Sequence, residues 1–381
     1  MIQRSMRHGT GFDPLTVGVV AALLGIGVVL VYSSSSVFAA QVYGDAEHFL
    51  KLQLCWSVVG LIGLAVATRI PGPWLRRRAG WVLILAVALC ALVLVPGLGH
   101  LAGGARRWLT LGILGNLGFQ PSEIAKLAVV IVLATILARR DERPEAERSS
   151  LLVPVLVAQI PVALVLAEPD LGTALVIEAV VAIMVFTAGL RLRTLGLAGL
   201  AALPVFYHLL VGTPFRVQRL LSFIDPWAYR TTVGYQITEA LISIGSGGLF
   251  GVGLGCSKHK LFFLPAAHTD FIFALLGEEL GLVGCLGLFV AFAVLMMRGV
   301  RAATTAASSF DAYLAIGLTA IIGVPAVFNI CVATGMLPTK GLPLPLLSYG
   351  GSNLVATLVA IGLLLRVMRD GRSSAPKERT P

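Results

Sequence analysis

Charge is what this sequence has least of. Only 13% of its 381 residues are Asp, Glu, Lys or Arg, against about 25% in soluble domains, and acids are scarcer than bases, 19 against 29. With 57% apolar residues and a mean hydropathy of +0.90, a water-soluble globular domain is excluded. Cysteine is also sparse: of five, Cys55, Cys90, Cys285 and Cys331 fall in apolar runs and Cys256 stands alone in a loop. No disulfide framework is implied. No cluster of His and Cys marks a metal site.

What the chain does have is long apolar runs. Segments near 15–33, 49–68, 79–97, 121–138, 151–167, 171–189, 195–211, 269–297, 311–334 and 350–366 each approach the roughly 20 residues that cross a bilayer. They predict an all-α polytopic membrane protein of ten transmembrane helices. The first run imitates a signal peptide, with Arg4, Arg7 and SSSSVFA around it, but its apolar core from Leu15 to Val31 exceeds the usual 7–15 residues. It is read as a retained helix.

The net charge of +10 is not a nucleic-acid footprint, because the basic residues gather in alternate loops. Arg4 and Arg7, Arg69 with Arg76, Arg77 and Arg78, the run RRDERPEAER, Arg191 and Arg193, Arg298 and Arg301, and the basic tail all fall on one side. By the positive-inside rule both termini are cytoplasmic, and the charge serves orientation and contact with anionic lipid. The one long connection, 212–268, then lies outside. Its apolar and glycine-rich stretch GYQITEALISIGSGGLFGVGLG predicts short helices lying against the membrane surface. A single membrane domain over 13–369 is expected, between a tail of 1–12 and a disordered tail of 370–381.

Ionisable residues inside or at the mouth of spans are costly and mark candidate sites. In QPSEIAKLA, Glu123 and Lys126 share a helix face and can neutralise each other; they either pin that helix or line a cavity. Arg106 and Arg107 in GGARRWLTLG suit a phosphate bidentately, or anchor at lipid headgroups beside Trp108. In LAEPDLGT, Glu168 and Asp170 flank a turn, and Asp170 also suits the N-cap of the next helix. Glu178 lies too deep for a cap and calls for a polar partner. In FLPAAHTDFIFALLGEELG, Asp270 opens an apolar run. A continuous helix from Thr269 would set Gly277, Gly281 and Gly284 on its face for close packing and turn Glu279 to the opposite side.

Taken together, GARRWL, QPSEIAKLA, EPDLGTALV, GYQITEALISIGSGGLFGVGLG, KLFFLPAAHTDFIFALLGEELG and TGMLPTKGLPLPLLSYGGS resemble, in order and spacing, the SEDS family (shape, elongation, division and sporulation) over about residues 12–368. The short connector CSKHKLFF and the form MLPTKGLPLP are more similar to its division branch than to its elongation branch. Two departures stand out: Ala266 where the family usually has Glu, and Asn353 where it has Ser.

The resemblance implies a peptidoglycan glycosyltransferase in the bacterial cytoplasmic membrane. Its substrate would be lipid II, an undecaprenyl-diphosphate-linked disaccharide peptide, polymerised at the outer face. Its partners would be a class B penicillin-binding protein that crosslinks the strands, and other division or elongation membrane proteins. Asp270 matches the family's essential aspartate. Transfer of a sugar from a diphosphate needs a base for the acceptor hydroxyl and cations for the leaving group; Arg107, Lys126, Arg216, Arg219 and Lys340 are the candidate cations. Glu123, Glu168, Asp170, His268 and Ser348 complete the expected substrate site. No cofactor is required, and a divalent cation at the diphosphate is compatible with the resemblance. Two other classes compete: a lipid II flippase, which would depend on midplane groups such as Glu178, and a non-catalytic scaffold for a transpeptidase.

Overall fold

The computed structural model describes residues 12–102, 105–110, 118–143, 150–212, 214–257 and 268–374. Twelve helices and a small sheet account for them. The helices are α1 (Pro14–Tyr43), α2 (His48–Ala67), α3 (Gly72–Leu94), α4 (Pro121–Asp141), α5 (Leu152–Ala167), α6 (Leu171–Thr187), α7 (Leu192–Val211), α8 (Pro214–Ile224), α9 (Tyr235–Ser246), α10 (Ile272–Thr304), α11 (Ser309–Ala333) and α12 (Gly351–Ser374). Between α3 and α4, β1 (Gly99–Ala102), β2 (Ala105–Thr110) and β3 (Gly118–Phe119) form an antiparallel sheet in that order, with Leu109 opposite both Gly99 and Phe119.

Seven helices, α1 to α4 and α10 to α12, are long and apolar enough to cross a membrane; α5, α6 and the first part of α7 are apolar but shorter. These ten correspond one for one to the ten predicted runs. Two helices fall within the expected outer loop: α8 carries its apolar residues on one face, as an interfacial helix does, and α9 packs against α10.

Burial sorts the long helices into two layers. Within their most apolar windows α4 is 89% buried and α12 83%, whereas α2, α3 and α10 are each 22% buried. Apolar side chains therefore face outward on the peripheral helices, as in a bundle solvated by lipid, and the polar groups of α4 are turned to the interior. Close approach is set by small residues. A Cβ on Gly362 of α12 would lie 2.5 Å from the Leu64 carbonyl oxygen of α2.

Charged residues pin the helix ends. The N-cap Asp13 accepts from the Thr16 amide at 3.1 Å and is met by Arg298 of α10 and Arg372 of α12. Arg366, fully buried, donates to Asp311 at 2.6 Å and approaches Asp370 at 3.4 Å. Helix α12 thus runs on to Ser374, past the expected end of the membrane domain. Helix α3 also starts earlier than its apolar run, at Gly72, so that Arg76, Arg77 and Arg78 lie in its first turns. Pro73 suits a helix start, and Arg76 is held by two hydrogen bonds to Glu142, at 2.7 and 2.6 Å.

One expectation is overturned: α10 is not continuous. Gly281 adopts φ 64° and ψ −162°, which breaks the helix, and the segment 248–253 inserts there. Val252 and Gly253 amides donate to the Glu278 and Glu279 carbonyls, while the Leu282 and Val283 amides donate to Gly248 and Leu249. Gly281 is therefore a conformational requirement, not a packing stripe member. Gly277 does pack tightly, against Gly247 and Ile244 of the α9 region. Glu279 is buried and accepts from Ser33 of α1 at 2.5 Å, and Glu278 accepts from Ser243 at 2.9 Å and Ser257 at 2.5 Å.

A Cβ at Gly281 would fall 2.3 Å from the Gly251 amide nitrogen, whereas at Gly287 it would meet nothing within 4 Å. Only glycine tolerates the Gly281 backbone without about 1–3 kcal/mol of strain. Gly281→Ala is expected to lower the thermal unfolding midpoint of the detergent-purified protein. Gly287→Ala, at an ordinary helical position, should hold or raise it. Equal midpoints for the two variants would refute the role given to Gly281.

Candidate active site

A cavity of about 230 Å³ opens at the end of the bundle where α4, α6, α10 and α12 all begin. The starts of α4 and α12 meet directly, the Gln120 amide donating to Ser352 Oγ at 3.0 Å. Helix N-termini carry partial positive charge and unsatisfied amides, so their convergence favours an anion. Arg107, Glu123, Lys126, Asp170 and Asp270 line this cavity, with Gln120, Thr173, Asn353 and Tyr349.

Asp270 stands just before α10 and is held by its backbone. Asn329 Nδ2 donates to the Asp270 carbonyl at 2.8 Å and to the Leu342 carbonyl at 2.7 Å. Ser348 Oγ donates to the Thr269 carbonyl at 2.5 Å and accepts from the Leu344 amide at 2.8 Å. The Tyr349 amide completes the clamp on the His268 carbonyl at 2.9 Å. Helix α11 and the 339–349 loop thus fix the peptide that carries the acid. Its carboxylate lies against Gly341, where a Cβ would come within 2.9 Å of Oδ2. Burial pushes the Asp270 carboxyl up to about 6, against the opposing pull of the Arg219 charge and a hydrogen bond from Thr269.

The predicted cations surround this acid unevenly. Arg107, on β2, donates through Nε to the Glu168 carbonyl at 3.2 Å and through Nη2 to the Pro169 carbonyl at 2.6 Å, which fixes its plane at the cavity wall. Lys126 pairs with Glu123 at 2.9 Å, the side chains 8% and 5% exposed. The pair is a buried bridge whose side chains also line the cavity. Arg219, on α8, donates to the Thr339 carbonyl at 3.2 Å. Burial pushes the Lys340 ammonium down to about 8, and Arg216 and Arg219 act in the same direction while Asp170 opposes them. Arg216, Arg219 and Lys340 thus form a basic rim beside the cavity rather than its wall.

The remaining candidates take other places. Asp170 lines the cavity but also caps α6, accepting from the Thr173 amide at 3.1 Å, Thr173 Oγ1 at 2.9 Å and Gln120 Nε2 at 3.2 Å. Glu168 lies behind it, wholly buried. Burial raises its carboxyl to about 8, with the Asp170 charge adding to the effect. His268 sits outside the cavity among Phe38, Phe49 and Tyr349, with ring centroids 6.1, 4.8 and 6.0 Å away. Burial lowers it to about 4, so it is neutral at pH 7. Ser348 acts on the backbone, as described. Glu178 is half-buried on α6, outside this cavity, with Gln159 of α5 as a polar neighbour. Ala266 lies outside the described residues, where no consequence of its departure is visible. The other departure is visible, because Asn353 Nδ2 donates to Glu123 Oε2 at 3.3 Å. Sequence reasoning missed Asn329 and Gln120, polar residues at the ends of apolar runs with no charge to single them out. Among the described residues no group of three His, Cys, Asp or Glu side chains could hold a metal ion.

A family model described as "Cell cycle protein", which covers FtsW, RodA and SpoVE, matches residues 14–373. The chain belongs to this family. It is 40% identical over 370 residues to a probable peptidoglycan glycosyltransferase FtsW of Geobacter sp. strain M18, covering 97% of this chain and 100% of that one. It is 42% identical to the protein of the same name from Alkalilimnicola ehrlichii, covering 94% and 90%. Among solved structures it matches a chain of a peptidoglycan synthase complex described as coordinating polymerization and crosslinking, with TM-score 0.77, 33% identity and coverage of 95% and 98%. It also matches RodA of Thermus thermophilus, a rod shape determining protein, with TM-score 0.68, 33% identity and coverage of 94% and 97%.

Removing one member of a buried ion pair leaves an uncompensated charge and costs about 3–5 kcal/mol, whereas removing both is often nearly neutral. Lys126→Met alone is expected to destabilise the fold strongly, and the double variant Glu123→Gln/Lys126→Met should recover most of the loss in thermal unfolding. Additive losses in the double variant would show that the pair is not coupled.

Proposed function

We propose that this chain is a peptidoglycan glycosyltransferase that polymerises lipid II, with Asp270 as its general base. The observation that carries this reading is a cavity in which a carboxylate, held rigidly by its backbone, faces cations and four helix N-termini. The relatives named as probable peptidoglycan glycosyltransferases support it.

In the proposed reaction the acceptor sugar's hydroxyl oxygen attacks the anomeric carbon of the donor. Asp270 takes the hydroxyl proton, a new glycosidic bond forms, and the bond to the diphosphate breaks. Its electron pair leaves with the diphosphate. By resemblance the transfer inverts the anomeric carbon. Arg107, Lys126, Arg219 and Lys340 stabilise the departing charge, which a low-dielectric site makes more effective than in water. A divalent ion accompanying the diphosphate would add charge neutralisation at the leaving group, but the described residues offer it no group of three His, Cys, Asp or Glu ligands.

The orientation that fits this chemistry puts both termini in the cytoplasm, the 212–268 connection outside and the cavity at the outer face of the cytoplasmic membrane, in ten spans. The partner reading is a class B penicillin-binding protein, supported by the likeness to a synthase chain that acts with a crosslinking activity. The flippase reading draws no comparable support, since the relatives are named as probable glycosyltransferases.

General-base assistance contributes about 10²–10⁴-fold. Asp270→Asn, which keeps size and polarity, should therefore lower polymerisation of purified lipid II by that order, with folding and partner binding intact. In the wild type the base must be ionised, so kcat/KM should fall about tenfold per pH unit below about 6 and level off above it. A near-normal rate in Asp270→Asn, or a flat profile through pH 6, would remove Asp270 from this role.

Cys256 is exposed whereas Cys90 is buried. A membrane-impermeant maleimide added to intact spheroplasts should label the wild type and not Cys256→Ser. Labelling that requires permeabilised cells would invert the orientation.

A further inference from the structure

A second cavity, of about 220 Å³, lies at the opposite end of the bundle, where α10 and α12 end and α1 begins. Three guanidinium groups line it: Arg298 and Arg301 from α10 and Arg372 from α12. Among the described residues the acid that pairs with them is Asp13, 3% exposed. Both Asp13 oxygens are already taken. Oδ1 accepts from Arg298 and from Arg372 at 2.5 Å, and Oδ2 accepts from Arg298 Nε at 3.0 Å, the Thr16 amide at 3.1 Å and Thr16 Oγ1 at 2.5 Å.

Three positive charges therefore meet one negative charge whose acceptors are used. Arg301 is exposed and its side chain makes no hydrogen bond or ion pair among the described residues. A cation at the end of α10 complements that helix's dipole, but this accounts for one arginine and not for a cavity built from three. The volume corresponds to roughly seven waters at about 30 Å³ each, enough for a phosphate group. Gly371 keeps the ends of α10 and α12 together, since a Cβ there would lie 2.4 Å from the Thr305 carbonyl oxygen. Ala302 and Met368 give the cavity an apolar floor.

We propose that this cavity binds a phosphate-bearing anion, the headgroup of an anionic phospholipid. Guanidinium groups match phosphate oxygens bidentately, and basic pockets between membrane helices at a headgroup level suit such lipids. The apolar floor meets the glycerol end of the lipid, and the Asp13 bridge holds Arg298 and Arg372 in place. Inorganic phosphate offers the same chemistry without the tail, so the two sources need separate tests.

The test is native mass spectrometry of the detergent-purified full-length protein, titrated with phosphatidylglycerol and with phosphatidylcholine. The wild type should retain phosphatidylglycerol in preference. Arg301→Gln, which disturbs no structural bridge, should weaken that retention about fivefold, the loss expected of one arginine near a lipid surface. Arg77→Gln, at an exposed position on α3 outside the cavity, should leave it unchanged. In a second arm, inorganic phosphate is titrated against the lipid-stripped protein. Phosphate binding that depends on Arg301, without any preference between the two lipids, would overturn the lipid assignment. Equal lipid retention by the wild type and Arg301→Gln, with no phosphate binding, would overturn the site.

Discussion

Hydrocarbon offers no hydrogen bonds, so every polar group that enters the bundle must find its partner within the protein. That constraint sorts the whole molecule. Helices with no buried charge, such as α2 and α3, stand at the periphery and spend most of their surface on lipid, α2 burying only Gln53 and Ser57 among its polar side chains. The helices that carry charge, α4 and α12, are taken inside, and each charge is answered: Lys126 by Glu123, Arg366 by Asp311 and Asp370. The ends of the bundle are where charge is cheap, and the two charged cavities lie there. One is rich in helix N-termini and the other in arginines.

The same constraint explains how a break in α10 is tolerated. Opening a helix at Gly281 frees amides and carbonyls on both sides, and the inserted 248–253 segment supplies partners for them in both directions. Glu278 and Glu279 then tie the broken half to Ser243 and Ser257 beside α9 and to Ser33 of α1. Asp270 stands at the head of that half. The position of the acid is therefore set by α9 and α1 as well as by Asn329 and Ser348, and the short 248–253 segment becomes part of the frame of the cavity.

How much of this was readable beforehand depends on the kind of signal. Hydropathy runs are long and additive, so all ten apolar runs correspond to helices, with errors only where polar residues continue one, as Arg76 to Arg78 do in α3 and Arg372 does in α12. Charges in apolar runs are rare enough to stand out, which is why Asp270, Glu123 and Lys126 were singled out; Arg107 was chosen in a loop for its fit to phosphate and Asp170 in a turn between two runs, and all five line one cavity. The break at Gly281 was not readable, because a glycine at helical spacing looks the same whether it packs or unwinds, and only the partner segment decides. Nor was the location of His268, whose ring belongs to an aromatic cluster assembled from α1, α2 and the 349 region. Asn329 gave no signal either, since a neutral amide in an apolar run declares itself only through the two carbonyls it bridges.

The electrostatics at Asp270 pose a conflict that the proposed reaction resolves. A base works best near the operating pH, yet the cations needed for the leaving group hold a nearby carboxylate down. Here burial outweighs the Arg219 charge, and the carboxyl settles near 6. The geometry helps, because the cations bind elsewhere first: Arg107 to the carbonyls before α6, Lys126 to Glu123, and Arg219 to the Thr339 carbonyl. When a diphosphate lies against Arg219 and Lys340, its negative charge cancels the field that restrains Asp270, while its bulk removes water from the cavity. Both changes raise the carboxyl's affinity for a proton. In the proposed reaction Asp270 would thus be a stronger base in the loaded site than in the empty one, when an acceptor hydroxyl is in place to give its proton up.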